Sequence, residues 1–536
     1  MNSKQCPQCG AVEKGDDILV SDLYAPPGSR YGALLNSNDS PLDSDVVVIE
    51  SSISRTDARL VSINGEMARL NKRLKLLEEE QLSLSISRTQ SRSILSPLRK
   101  IPPEILAEIF LWTLPSDKVA VEDGIHITDS PWLLTHIRRQ WKQVCISTPS
   151  MWSLVVMAYH PKMKLSSLCP VWMLETQIAR ARRLKIHFFG FETTDAQSQT
   201  EMFQYLAKHA SMWEEVNLQL TPTLSALLPD LKNRIPSLRS LWLWWENEES
   251  VTVAQSMDFL ESASSLVDLA IINNEHRRIL ITSLFPAHQL TCYELECPWG
   301  IHLSILRLAR NLVEARVWIR FDDTLWATSG EIVELPYLRR LYISAIKALE
   351  YFRVPALEEL AFNFKPSVVP FVVGVIQSLL ARSSCTLRCL CICSCPDVPT
   401  FITLLQNIPS ILTLRIIPAS VVNVNTLLIG LSVFVGATVV APQLSCISLG
   451  FMAEGGPTPA DYRVYAQMLA SRWTSGFCAL RSASLLLEPG TLECDATSLV
   501  ELQKLREEGL DFDYVHGEDA LPIIDRWVYS HPIYIP

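Results

Sequence analysis

Five cysteines between residues 385 and 395 form the densest set of reactive side chains in the sequence. Cys389, Cys391, Cys393 and Cys395 alternate, so on a β-strand they share one face. Thiolates placed this way could hold zinc or exchange disulfides. Zinc needs four ligands around one centre, so neighbouring strands would have to supply the rest, and Cys446 is the nearest candidate in the pattern. The expectation is instead small polarisable residues on a partly covered sheet, with Leu390 and Ile392 on the inward face. Cys6-Pro-Gln-Cys-Gly10 has the spacing of half a zinc ribbon, but a second Cys-x-x-Cys is missing, so it reads as an incidental pair. Neither G-x-x-x-x-G-K nor G-x-G-x-x-G occurs, nor His-Glu-x-x-His or G-x-S-x-G. No catalytic residue, no metal and no cofactor is expected.

A different pattern positions side chains for binding. From residue 155 onward the unit Leu-x-x-Leu-x-Leu, with any apolar residue allowed at each Leu, occurs eleven times. The first copies are Trp213/Val216/Leu218 and Leu238/Leu241/Leu243; the last are Leu444/Ile447/Leu449 and Leu480/Ala483/Leu485. A weaker copy sits at Leu184/Ile186/Phe188. Copies lie roughly 19 to 36 residues apart, which leaves room for helical returns such as Met257–Ser264 and Phe371–Arg382. A single strand–helix unit cannot bury its apolar face, so the units must stack into one array. Residues between the inward positions then line the strand face turned away from the helices. Trp242, Trp244, Glu294, Glu296, Arg316, Trp318, Arg340 and Tyr342 all fall there, and rings beside guanidinium groups suit a protein-binding surface. Trp242, Trp244, Arg316, Trp318, Arg340 and Tyr342 are therefore the target-binding candidates. Two alternatives stay open: a loop or the chain's own termini could cover these rings, or the register could slip by one and reverse the face.

Composition narrows the class. The 536 residues exceed one compact core, 48% are hydrophobic and 19% charged, and the net charge is −10. An acidic chain is a poor phosphate binder, so no nucleic-acid partner is expected. The first residues lack the apolar run of a signal peptide, and the 14 scattered Cys then read as reduced thiols in cytoplasm or nucleus. From Ile416 to Ala453 no residue is charged. Pro418, Asn423, Asn425, Gly430 and Gly436 interrupt this stretch, so it is expected to be a buried helix and strand of the array rather than a membrane span.

Two helical segments precede the array. Leu60, Ile63, Met67, Leu70, Leu74, Leu77 and Leu84 step by three and four, with Gln81 the one polar seam position. This predicts a coiled coil over residues 58–86, between a disordered tail (1–57) and a Ser/Arg-rich linker (87–94). Its seam, residues 60–84, is expected to make a homodimer, with folding back on the chain as the alternative. The second segment is Ser96-Pro-Leu-Arg-Lys-Ile-Pro-Pro-Glu-Ile-Leu-Ala-Glu-Ile-Phe110, followed by Pro131-Trp-Leu-Leu, then Ile137-Arg-Arg-Gln-Trp-Lys-Gln-Val144 and Thr148-Pro-Ser-Met-Trp152. Pro102 and Pro103 start a helix where a missing N–H costs nothing, and Glu104 suits its positive end. Ile101, Ile105, Leu106, Ile109 and Phe110 form its apolar stripe.

This ordered set resembles the F-box, with an insertion from Ser116 to Asp129 and with Arg138 where many members carry Cys. The array after it resembles the irregular leucine-rich repeats that often follow an F-box in mushroom-forming fungi. The resemblance implies an α/β chain: a coiled-coil helix, an all-helical F-box (95–154), and a leucine-rich-repeat-like solenoid (155–510) with parallel strands on the concave face and helices on the convex face. Residues 511–536 would cap the last repeat. It implies a non-catalytic substrate receptor of an SCF-type ubiquitin ligase. A Skp-type adaptor, and through it cullin and RING subunits, would bind Ile101, Pro102, Pro103, Ile105, Leu106, Ile109, Phe110, Trp132, Leu133, Leu134 and Trp141.

Overall fold

The computed structural model describes residues 28–114, 129–159, 171–191, 197–245, 255–272, 279–280, 286–320, 332–363, 369–393, 398–418, 421–434, 436, 438–452, 461–491 and 494–528. The chain divides into two compact units, residues 1–102 and 103–536. Cys6, Cys9, Cys395, residues 116–128 of the insertion and residues 529–536 lie outside the described residues.

The first unit is dominated by one helix, Asp43–Ile94, of 52 residues, or about 78 Å at 1.5 Å per residue. Its first turn is capped by Asp45, whose carboxylate accepts the Leu42 N–H at 3.1 Å and pairs with Arg30 at 3.0 Å. No residue of this helix is buried. The helix is longer than the sequence pattern predicted. Residues 43–57 are not tail and residues 87–94 are not linker, because the three-and-four spacing continues upstream through Val46, Ile49, Ile53 and Thr56, and no Pro or Gly stops it before Pro97.

The second unit opens with a small helical module: helices Pro103–Leu111, Leu134–Ile137 and Arg139–Ser147, then a 3-10 turn Pro149–Trp152. Leu106, Phe110, Trp132, Leu134, Val144, Cys145, Met151 and Trp152 are its core. Trp152 is held by its indole N–H, which donates to the Cys145 carbonyl at 2.8 Å. The Arg180 guanidinium lies 4.3 Å from the centre of that ring.

Among the described residues, beside two short two-stranded parallel pairs, a sheet of fourteen parallel strands follows, its strands adjacent in space in the order they occur in the chain. They are β1 (Leu154–Ala158), β2 (Leu184–Phe189), β3 (Trp213–Leu220), β4 (Ser240–Trp245), β5 (Asp268–Ile272), β6 (Cys292–Cys297) and β7 (Glu314–Ile319). Then come β8 (Arg340–Ile343), β9 (Glu359–Asn363), β10 (Cys389–Cys393), β11 (Thr413–Ile417), β12 (Cys446–Phe451), β13 (Ser482–Leu487) and β14 (Asp511–His516). From β3 onward the Leu-x-x-Leu-x-Leu positions align without a slip, while β2 and β3 shift register once, between Leu184 and Lys185. Val216 sits opposite Leu241, Leu241 opposite Leu269 and Leu269 opposite Tyr293, and the row continues to Ala483 and Phe512. The expected mixed α/β architecture with one long parallel sheet is present.

The inward row meets the connecting helices. The Trp245 indole N–H donates to the Ser225 hydroxyl at 2.8 Å, and the later helices, from Val369–Ser383 to Ala496–Glu507, pack side by side. Residues 257–264 differ from expectation: they hold a single 3-10 turn, Asp258–Ser262. Leu266, which enters the next strand, follows too soon for a second helical turn. The uncharged stretch after Ile416 contributes an 11-residue helix, Val421–Leu431, and strand β12. No helix among the described residues is long and apolar enough to cross a membrane.

One fully buried contact makes stability depend on pH. His302 Nε2 lies 3.1 Å from the Trp318 carbonyl, which can only accept, so Nε2 carries the proton. Nδ1 then accepts from the Tyr293 hydroxyl at 2.8 Å. Burial pushes the His302 pKa down from 6.5 to about 4. The unfolded chain therefore binds the proton first, and stability falls as pH falls from about 6.5 to about 4, by on the order of 3 kcal/mol in all. Urea unfolding at pH 7 and pH 4.5 checks this. His302→Gln should lose that part of the pH dependence; an unchanged slope would refute the assignment.

Candidate protein-interaction faces

Helical geometry splits the adaptor-binding candidates into two sets. Residues one apart on a helix point about 100° apart, so the broad stripe read from the sequence is really two. Leu106 and Phe110 turn inward, at 1% and 2% exposure. With Trp132 and Leu134 they are the module's own core and are not surface residues. Trp141 is half-buried and packs on Phe110, ring centres 5.0 Å apart, so its part is also internal. Ile105 and Ile109 turn outward at 52% and 44% exposure, and Trp112, which the sequence reading passed over, is 89% exposed. Continuing the 105–109 spacing by three residues would have found it. Leu133, Pro103 and Ile137 are exposed too. Ile101 and Pro102 fall in the first unit, half-buried and exposed respectively.

On the sheet, the target-binding candidates do share one face. Trp242, Ala270, Glu294, Arg316, Tyr342, Ala361, Cys391 and Arg415 stand in one row across β4 to β11. The expected exposure is overturned, however: Trp242, Trp244, Arg316 and Tyr342 are all buried. The two Trp pack with Val156, Ala158, Phe189, Ala270 and Ile272 into a second apolar cluster. Trp318 is half-buried; its indole N–H donates to Glu294 at 3.3 Å, and its ring lies 4.3 Å from that of Tyr342. Of the six, only Arg340 is exposed, bridging Glu314 and Glu359 at 3.6 Å each.

Tyr342 is covered by the chain's own C-terminal helix, Leu521–Val528. The segment from Asp511 was expected to cap the end of the array; instead 511–516 form the last strand, and the helix turns back over the open sheet face. Ala520, Ile524, Trp527 and Val528 form one stripe at i, i+4, i+7 and i+8. They pack on Tyr342, Ala361, Cys391, Ile417 and Leu486. Gly450 admits the close approach: a Cβ there would lie 2.9 Å from Ile524 Cγ1 and 3.1 Å from Trp527 Cζ3.

Beside this helix lies a cavity of about 270 Å³, lined among others by Arg316, Arg340, Arg415, Arg526, Glu359, Cys389, Cys391 and Trp527. The Arg415 guanidinium sits 5.8 Å from the centre of the Trp527 ring. Buried Arg316 reaches Glu314 and the Arg526 carbonyl, while its Nε has no hydrogen-bond partner. The Arg set suits an acidic side chain. The two buried thiols do not suit redox or metal chemistry. Burial pushes Cys389 up to about 12; Cys391 is raised well above the usual thiol range by its hydrogen bond with Cys393 and by burial. Both stay protonated and unreactive at neutral pH. Cys446 lies two strands from Cys389, with Thr413 between, about 9.5 Å at normal strand spacing. No group of three or more metal-ligating side chains occurs among the described residues. No model of a protein family matches the sequence, and no curated protein matches it, so function must be argued from these two faces.

Proposed function

We propose that this chain is the target-recognition subunit of an SCF-type ubiquitin ligase. The helical module is an F-box that docks on a Skp-type adaptor, and the parallel array is an irregular leucine-rich repeat that holds the target. The observation that carries the reading is Ile105, Ile109 and Trp112. A module with a complete core of its own still leaves three large apolar side chains in water, Ile105 and Ile109 along one side of its first helix and Trp112 just past the helix end. Such an amphipathic helix suits a groove on another protein. The ordered motifs around it, from Pro102-Pro103-Glu104 to Trp152, favour the F-box among helical modules. The chain then performs no chemistry. It raises the concentration of a target near a ubiquitin-charged enzyme brought by the cullin and RING subunits, in cytoplasm or nucleus. The cavity beside the C-terminal helix, with exposed Arg340 and Arg526 at its wall, favours a target with an acidic segment.

Affinity purification of the tagged full chain tests this reading. The expected result is recovery of both a Skp-type adaptor and a cullin. Adaptor without cullin would instead favour a non-degradative scaffold, and neither protein with a well-folded chain would refute the proposal.

A further inference from the structure

We infer that the long helix Asp43–Ile94 pairs with the same helix of a second copy, antiparallel and in one register. The seam of this helix is open from Leu60 to Leu84, while Val46, Ile49 and Thr56 are half-buried. Ile53, Leu60, Ile63, Met67, Leu70, Leu74, Leu77 and Leu84 are all exposed. With Leu60 at heptad position a, the a residues run Val46, Ile53, Leu60, Met67, Leu74, Gln81, and the d residues Ile49, Thr56, Ile63, Leu70, Leu77, Leu84. Among the described residues of its own unit nothing covers the apolar stripe from Leu60 to Leu84, and charge decides which partner fits.

In an antiparallel pair, a residues pack on d residues and g positions face g positions. Centring the pair between Met67 and Leu70 matches Leu60 with Leu77, Ile63 with Leu74, Ile53 with Leu84, and Gln81 with Thr56. Thr56 and Gln81 thus meet each other and not an apolar side chain, while at the ends Arg88 falls on Ile49 and Ser91 on Val46. The facing g positions are then Glu66 with Arg73 and Arg59 with Glu80, each pair occurring twice by symmetry. Against them stands one unfavourable e-position contact, Asp57 with Glu78. Sliding by one heptad either way destroys the match: one shift sets Glu66 on Glu66 and Arg59 on Arg73, the other Arg73 on Arg73 and Glu66 on Glu80. A parallel pair keeps only Arg73 with Glu78 and stacks Arg88 on Arg88 inside the seam. Interhelical charges at these positions set orientation in coiled coils. The chains then continue from opposite ends of the pair, about 75 Å apart. The inference stands whether or not the helical module binds an adaptor.

Sedimentation of the full chain, wild type and variants, tests it. The wild type should be a dimer. Glu66→Arg should weaken the dimer about tenfold, since it turns two attractions into repulsions, and adding Arg73→Glu should restore it. Leu60→Cys alone should not form a disulfide between residues 60, whereas co-expressed Leu60→Cys and Leu77→Cys chains should cross-link, as read by mass spectrometry of those peptides. Cys6 and Cys9, the native cysteines of residues 1–102, are replaced by Ser in these variants. A wild-type monomer, an unaffected Glu66→Arg dimer, no rescue by Arg73→Glu, or a 60–60 disulfide would each overturn the inference.

Discussion

Ile105→Asp and Ile109→Asp should each abolish recovery of a Skp-type adaptor while leaving the chain folded. Both side chains already face water, so a carboxylate there costs the isolated chain less than about 0.5 kcal/mol. In the docked state the same carboxylate would be buried without a partner, which costs several kcal/mol. One kcal/mol is already about a fivefold loss of affinity, so binding should fall below detection. Leu106→Asp and Phe110→Asp should behave differently. These side chains are core, so the charge goes into the module itself and should unfold residues 103–152, with adaptor binding lost as a consequence. The pair of outcomes separates docking from stability. It is read by adaptor pull-down alongside circular dichroism and protease resistance of the module. Full adaptor binding by an Ile105→Asp/Ile109→Asp double variant would sink the F-box reading. Loss of fold in that variant would mean that this side of the helix is internal.

Ile524→Asp should release the C-terminal helix from the sheet. The helix is eight residues long, far too short to persist alone in water. It is held by burial of Ile524, Trp527 and Val528, and truncating one such side chain costs about 2–5 kcal/mol. That exceeds what a terminal element of this size holds in reserve, so local release should precede global unfolding. Gly450→Val should do the same from the opposite side. Its backbone is not in the left-handed region, so the restriction is space alone: a Cβ cannot approach Ile524 this closely. The readout is thiol labelling. Cys391, 2% exposed, should resist alkylation in the wild type and react at moderately raised pH in either variant. Continued protection in both would show that something other than the helix covers this face.

The alternating faces of the array were legible in the sequence, whereas its exact register was left open. Shifting Leu241 or Leu390 by one residue would turn the whole inward row to the wrong face, so the apolar pattern fixes the face; a slip of two would keep it, and the pairing itself is set by the structure. The long helix was legible for a similar reason, although its ends were not, since the composition around Val46 and Arg92 conceals a continuing three-and-four pattern. Exposure is a different kind of quantity. Trp242 and Tyr342 were assigned to the right face and still mistaken for surface, because Tyr342 joins a cluster with the C-terminal helix and Trp242 one with Val156, Ala158 and Phe189, all far along the chain. Local pattern says which way a side chain points; it cannot say what a distant segment brings against it. Ile105 and Leu106 carry the same lesson within one turn. Both suit an apolar stripe, and only the packing of Trp141, Val144 and Met151 on one side of that helix decided which became core and which stayed in water. Sequence periodicity therefore determined the α/β array, the face each residue takes and the helical seam, because these follow from side-chain direction. Tertiary structure decided which faces remain free for a partner, because burial depends on contacts between segments that no local pattern links.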